Sequence, residues 1–199
     1  MTRFRIALPI ALILFAVSCR KETSIPAQPT PGTGAPSQTV VTDPSAAPAD
    51  GTAKVGSVMP AWTAKTLDGK AFDIADMRGS VVLINIWATW CGPCRYEIPE
   101  LVKLHAEWAP QGFAVLGASI DGRATVGEVE PMMRSFKINY PVVIDTDARI
   151  ADIFETSVIP TSALIDRNGR VVWTRIGTLH ADDAEMVAAI RAALASPRT

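Results

Sequence analysis

The sequence is short of cysteine, histidine, aromatic residues and surplus positive charge. Three cysteines in 199 residues cannot build a multi-disulfide scaffold, so any cysteine function is expected to be chemical rather than architectural. Nineteen Lys and Arg stand against 20 Asp and Glu, a net charge of −1. That balance excludes a nucleic-acid binder working through a basic surface, because neutralising phosphates needs a clustered excess of cations. No apolar run approaches the roughly 20 residues that span a bilayer. What is present is a chain long enough for one domain of ordinary size, with 48 % hydrophobic residues to fill a core.

The composition is uneven along the chain. Arg3 and Arg5 precede a twelve-residue apolar run, Ile6 to Val17, which suits the ~7–15-residue core of a signal peptide. Residues 1–18 are therefore read as an export signal. The run ends Ala16-Val17-Ser18-Cys19, which resembles a bacterial lipobox with Cys19 as the acylated residue after cleavage; Ala16 stands where leucine is commoner. An uncleaved anchor, or a secretory cut nearby, is the plainer alternative. Loss of Arg3 and Arg5 leaves 17 positive against 20 negative side chains, a net −3. Residues 19–56 read as a disordered tether: Pro26, Pro29, Pro31, Pro36, Pro44 and Pro48 lie among Thr, Ser, Gly and Ala, and no aromatic occurs between Phe15 and Trp62. Such a stretch buries too little apolar surface to offset its ordering entropy. As a flexible coil it would span roughly 35 Å root-mean-square.

From residue 57 to 196 the pattern is that of an α/β domain. Trp62–Thr66 and Ala71–Ile74 flank an Asp68-Gly69 turn, a small hairpin. The run SVVLINIW, 80–87, is nearly all apolar, as a strand buried on both faces is. Helical spacing of Ile98, Leu101, Val102, His105 and Trp108 predicts a helix over 93–108. A second buried strand is expected over 113–120, a helix over 125–136, a short strand over 141–144 and a short helix over 148–155. Strands 161–165 and 171–176 pair around Asp166-Arg167-Asn168-Gly169, and an amphipathic helix over 182–194 closes the chain. The sum is a mixed sheet with helices on both faces.

The chemistry sits where the first buried strand meets its helix, in Trp87-Ala88-Thr89-Trp90-Cys91-Gly92-Pro93-Cys94. Cysteines three apart at such a junction can close a disulfide with little backbone movement. Cys91, at the helix start, meets free amides and the positive end of the helix dipole, which favour a thiolate. Cys94, one turn in, is expected to be less exposed. Cys91 is thus the candidate nucleophile and Cys94 the candidate resolving thiol. Gly92 keeps the turn tight, and Pro93 suits an early helical position where its missing N–H costs nothing. A CxxC can also be half of a zinc site, but no second CxxC or paired histidine accompanies it, and no metal is expected. A static disulfide would stabilise little, because the loop is small.

WATWCGPC followed by a helix resembles the active site of the thioredoxin superfamily, and its surroundings look most like the TlpA/ResA group of exported, membrane-attached thiol-disulfide oxidoreductases. The resemblance implies a thioredoxin-like fold with an N-terminal hairpin and a central strand-helix insertion between Gly112 and Pro141. It matches Pro99 to a proline inside the active-site helix, Glu97 to a glutamate of ResA-like proteins serving cytochrome c maturation, and Ile159-Pro160-Thr161 to the cis-proline loop facing the CxxC. It also places Trp90, Gly92, Pro93 and Ile159 on the substrate-docking surface, with Trp90 over the disulfide. Asn85 stands where thioredoxin has a buried aspartate, so another group must serve the Cys94 thiol. Glu97, sharing a helix face with Cys94 at i+3, is the candidate for tuning it or taking its proton.

His105 lies on the apolar helix face and reads as a core or boundary residue; His180 reads as a loop residue. The rival from another class is a copper-delivery protein holding Cu(I) between the two thiols and His180. A peroxiredoxin lacks support, since its threonine-cysteine motif is not visible. The reading that results is a lipid-anchored, exported thiol-disulfide oxidoreductase facing the periplasm or cell exterior, with no cofactor beyond the Cys91–Cys94 couple. Gly92-Pro93 resembles reducing members. A membrane thiol reductase is the expected electron donor, and client thiol proteins, apocytochrome c among them, the expected partners.

Overall fold

The computed structural model describes residues 51–197. The expected signal, Cys19 and most of the expected tether lie outside that range. Residues 51–56, assigned to the tether by their lack of large apolar groups, instead pack on the domain. Ala53 is buried and donates its N–H to the Ile153 carbonyl at 2.7 Å, and Gly56 N–H donates to Val171 at 2.8 Å. Backbone hydrogen bonds hold this segment, and those leave no mark in composition.

The strands are β1 (Thr63–Thr66), β2 (Ala71–Asp73), β3 (Val81–Trp87), β4 (Phe113–Ser119), β5 (Val142–Ile144), β6 (Thr161–Ile165) and β7 (Val171–Ile176). The helices are α1 (Gly92–Trp108), α2 (Val129–Phe136), α3 (Arg149–Ile153) and α4 (Ala184–Ala195). The seven strands form one mixed sheet in the order β2-β1-β5-β4-β3-β6-β7. β3 pairs with β4, and β4 with β5, in parallel; β6 lies antiparallel to β3 and β7 antiparallel to β6. β1 joins the hairpin to the sheet by pairing antiparallel with β5. No helix among the described residues is long and apolar enough to cross a membrane.

The central strand β3 is buried along its whole length, and its alternation divides the core. Val81, Leu83 and Trp87 face α1, α2 and α4, meeting Ile98, Leu101, Leu104, Val129, Met186 and Ile190. Val82, Ile84 and Ile86 face the other layer, meeting Trp62, Ile74 and Ile150 of α3. Burying each of these aliphatic chains is worth roughly 1.5–3 kcal/mol. Leu104, absent from the expected stripe of α1, is fully buried. β4 can approach β3 closely at Gly117, where a Cβ would come within 3.1 Å of both Trp87 Nε1 and a Val142 methyl.

Three helix boundaries differ from expectation. The segment 125–136 opens as a 3-10 turn over Val126–Glu128 before α2 begins. α4 begins at Ala184 because Asp183 caps it, its side chain accepting the Met186 N–H at 3.1 Å. α3 is only five residues long and is bracketed by Ala148 (φ 53°) and Glu155 (φ 48°) in the left-handed region.

Candidate functional site

β3 ends at Trp87, and the chain turns over Ala88–Cys91, with Cys91 N–H donating to the Ala88 carbonyl at 3.2 Å. Cys91 is the N-cap of α1, in extended geometry, and its Sγ accepts the Cys94 N–H at 3.2 Å. Cys91 and Cys94 form a disulfide with S–S 2.04 Å and Cα–Cα 5.3 Å. Cys91 is 5 % exposed and Cys94 1 %, the asymmetry expected of a sulfur at the helix start and one a turn inside. Gly92 and Pro93 form the exposed first turn, where the absent proline N–H leaves no helical bond broken. The Cys94 N–H and the positive end of the helix dipole meet at Cys91 Sγ, so this is the sulfur at which negative charge is best tolerated.

The loop before β6 closes over the pair. The Ile159–Pro160 peptide is cis, and the Ile159 carbonyl oxygen lies 3.7 Å from Cys91 Sγ. Trp90, expected over the disulfide, is 61 % exposed. It lines a groove of about 460 Å³ together with Arg95 of α1 and Pro131, Met132 and Phe136 of α2. The insertion thus supplies the far wall of a groove that begins beside Cys91. A more apolar cavity of about 260 Å³ lies at the other end of β3, near Ser80 and Val82, and takes no part in the site.

Glu97 is fully buried on α1. It is no solvated helix-face carboxylate, because the Cys94 face of α1 is the core face. Asn85 Nδ2 donates to Glu97 Oε1 at 3.2 Å and to its cross-strand partner Ser162 Oγ at 3.0 Å. Burial pushes the Glu97 pKa from 4.5 up to about 8, against the opposing pull of the nearby Leu179 backbone amide and of Asn85. Leu179 lies close to the carboxyl, yet Glu97 Oε2 has no hydrogen-bond partner among the described residues. Asn85, on β3, thus serves as donor to a buried acid carried by α1. Tyr140 lies near; burial and the Glu97 charge push its pKa above the ordinary tyrosine value.

His105 is half-buried, and its Nδ1 accepts the Val115 N–H at 3.1 Å. β5 pairs with β4 only from Gly117 onwards, so the imidazole satisfies an amide that β5 is too short to reach. Burial lowers its pKa. His180 is exposed. Among the described residues no three His, Cys, Asp or Glu side chains converge as a metal site, so Cys91, Cys94 and His180 are not assembled for Cu(I). Sequence reasoning missed Asp121, which is fully buried and accepts both the Thr89 N–H and the Thr89 hydroxyl beneath the cysteine turn. An aspartate before glycine after a strand reads only as a turn, and nothing local marked it.

Residues 55–174 match the AhpC/TSA family. The chain is 33 % identical to the thiol-disulfide oxidoreductase ResA of Bacillus subtilis over 124 residues, 62 % of this chain and 68 % of ResA. It is equally identical to the ResA of Geobacillus thermodenitrificans over 129 residues, 65 % of this chain and 73 % of that protein. Among solved structures, a candidate thiol:disulfide interchange protein DsbE from Chlorobium tepidum superposes with a TM-score of 0.65 at 30 % identity, covering 72 % of this chain and 99 % of that one.

Proposed function

From the premise that this chain belongs to the AhpC/TSA family and is a thioredoxin-fold thiol-disulfide oxidoreductase, we propose that it is an exported, membrane-anchored reductase of disulfides in client proteins. The observation that carries the chemistry is the Cys91–Cys94 pair at the start of α1, with the Cys94 amide aimed at Cys91 Sγ and Glu97 buried one turn behind.

In the reduced enzyme the Cys91 thiolate attacks one sulfur of a client disulfide. A Cys91–client bond forms, the client S–S bond breaks, and the second client sulfur leaves as a thiolate that takes a proton from solvent. Cys94 then loses its proton and attacks Cys91 Sγ. The Cys91–Cys94 bond re-forms, the Cys91–client bond breaks, and the first client sulfur departs as a thiolate that takes a proton from solvent. The client gains two electrons and the pair loses two. We assign uptake of the Cys94 proton to the ionised fraction of Glu97, which grows as pH rises towards its pKa of about 8: the residue lies three on along the same helix face, and that pKa is close to a thiol's. Trp90, Gly92, Pro93 and the Ile159 carbonyl border Cys91 and are the surface on which an extended client segment would lie, with Pro160 fixing the loop that carries Ile159.

The direction rests on Gly92-Pro93, which resembles the dipeptide of reducing members. The cellular placement rests on the signal-like residues 1–18 and the lipobox-like Cys19. A membrane-embedded thiol reductase then restores the dithiol, and apocytochrome c is a fitting client, because its haem-binding cysteines must be thiols. The test is Cys94→Ala in the native host, where Cys91 should accumulate mixed disulfides whose partners name the client and the donor. Absence of adducts, together with no insulin reduction by the wild type, overturns the reductase reading. Globomycin-insensitive processing, or an unlipidated Cys19 by mass spectrometry, overturns the anchor.

A further inference from the structure

Two buried aspartates stand outside the exchange chemistry, and one of them, Asp121, lies against the cysteine turn. Asp121 is 0 % exposed, two residues beyond the end of β4. Its Oδ2 accepts the Thr89 N–H at 2.9 Å and the Ser119 hydroxyl at 2.8 Å, and its Oδ1 accepts the Thr89 hydroxyl at 2.6 Å. Its own N–H donates back to Ser119 Oγ at 3.2 Å. The parallel ladder between β3 and β4 runs only as far as Trp87 opposite Ser119, closed by Ile120 N–H donating to the Trp87 carbonyl at 2.9 Å. Beyond it the backbones part, β3 turning into α1 and β4 leading towards α2. The Thr89 N–H therefore has no strand opposite it. The Asp121 carboxylate takes that place and extends the ladder by one step, with a side chain standing in for backbone.

The residue so gripped lies in the turn that carries Trp90 and Cys91. We propose that Asp121 is a positioning residue for disulfide exchange: it fixes the Ala88–Cys91 turn through Thr89, so that Cys91 Sγ is presented to the client at a constant angle, and it ties that turn to the insertion bearing α2. The inference rests on the reading of Cys91 as the attacking sulfur. A carboxylate is the side chain for the task because both its oxygens accept. An amide offers one acceptor, so Asp121→Asn can keep both Thr89 contacts only by reversing the hydroxyl one, with the amide N–H donating to Thr89 Oγ, and it gives up the charge-assisted bonds to the Thr89 N–H and hydroxyl. A buried carboxylate is costly unless its oxygens are filled, and here hydroxyl and amide donors fill them. Exchange is sensitive to such a grip, because misplacing a reacting atom by about 1 Å can cost on the order of 100-fold.

The experiment compares full-length wild type, Asp121→Asn, Thr89→Val and Thr89→Ser for insulin reduction, for the pH profile of Cys91 alkylation by iodoacetamide, and for the urea midpoint. Asp121→Asn and Thr89→Val should slow insulin reduction tenfold or more and move the midpoint of the Cys91 profile. Thr89→Ser, which restores the hydroxyl, should recover most of the rate lost in Thr89→Val. If Asp121→Asn does not fold, Thr89→Val carries the test alone, since it removes a single hydroxyl. Lowered urea midpoints, with insulin rates within twofold of wild type and an unmoved Cys91 profile, would sink the proposal and leave Asp121 a structural strut. A wild type that itself neither reduces insulin nor alkylates preferentially at Cys91 would instead sink the reading beneath it.

Discussion

Replacing Glu97 with glutamine should make the oxidised protein more stable, and only above a definite pH. The carboxyl titrates at 4.5 when solvated and at about 8 in the fold, so the folded state holds its proton more tightly than the unfolded chain. Below pH 4.5 both states are protonated and Glu97 costs nothing. Between pH 4.5 and 8 the unfolded chain gives up the proton while the folded chain keeps it. Stability then falls by about 1.4 kcal/mol per pH unit from this group alone. Above pH 8 the loss is complete, roughly 5 kcal/mol, a large share of the 5–15 kcal/mol typical of a domain. Glutamine has the shape of the protonated acid and does not titrate. Urea denaturation of the oxidised wild type and Glu97→Gln at pH 4, 6 and 8 should therefore show curves that coincide at pH 4. The variant should gain about 2 kcal/mol by pH 6 and 4 kcal/mol by pH 8. A difference independent of pH refutes the reasoning. So does a wild type that gains stability over the variant as pH rises from 4, which would mean that Asn85 and the Leu179 amide outweigh burial and hold the carboxylate charged. In the reduced enzyme the same substitution should slow resolution of the mixed disulfide by roughly 100-fold, the usual scale of lost general-base assistance.

Trp90→Ala should raise the KM for a protein disulfide several-fold while leaving exchange with dithiothreitol near the wild-type rate, because the groove it shares with α2 is open to a polypeptide and irrelevant to a small thiol; equal effects on both substrates would refute a docking role. His105→Phe strands the Val115 amide and should cost about 1–2 kcal/mol in a denaturant titration at pH 7.5. Because burial lowers the His105 pKa, the stability it contributes is present above the unfolded value of 6.5 and is lost as pH falls towards the folded one, so the penalty of His105→Phe should shrink at pH 5. Asp183→Ala removes both the cap of α4 and the 2.9 Å ion pair to Arg175, and should cost about 1 kcal/mol in the same titration.

The elements were legible where periodicity spoke. SVVLINIW, short, nearly all apolar and rich in β-branched residues, reads as a strand covered on both faces, and the redox pair follows from two cysteines at a strand-to-helix junction. Asp166 and Gly169 announced the β6–β7 hairpin through turn chemistry. What stayed hidden depends on contacts distant in sequence. Spacing set Glu97 beside Cys94, but its burial depends on β3, β6 and the Leu179 loop arriving from elsewhere. Asp121 gave no signal, because a carboxylate that completes a ladder looks in sequence like any aspartate of a turn. Residues 51–56 are hidden for the same reason, since a segment of Gly, Thr, Ala, Lys and Val held by backbone hydrogen bonds has the composition of a tether.

The bracketing of α3 has a consequence for how the domain keeps its dimensions. A residue in a helix advances the chain about 1.5 Å, and one in an extended segment about 3.3 Å. Each residue exchanged between the two states would therefore shift everything downstream by nearly 2 Å. Ala148 and Glu155, one at each end in the left-handed region, stop α3 from growing in either direction. Asp145 secures the near end, its Oδ2 accepting the Ile150 N–H at 2.7 Å. The stretch from Asp145 to Pro160 is thus a spacer of fixed length, and it sets how far the Ile159 carbonyl reaches towards Cys91.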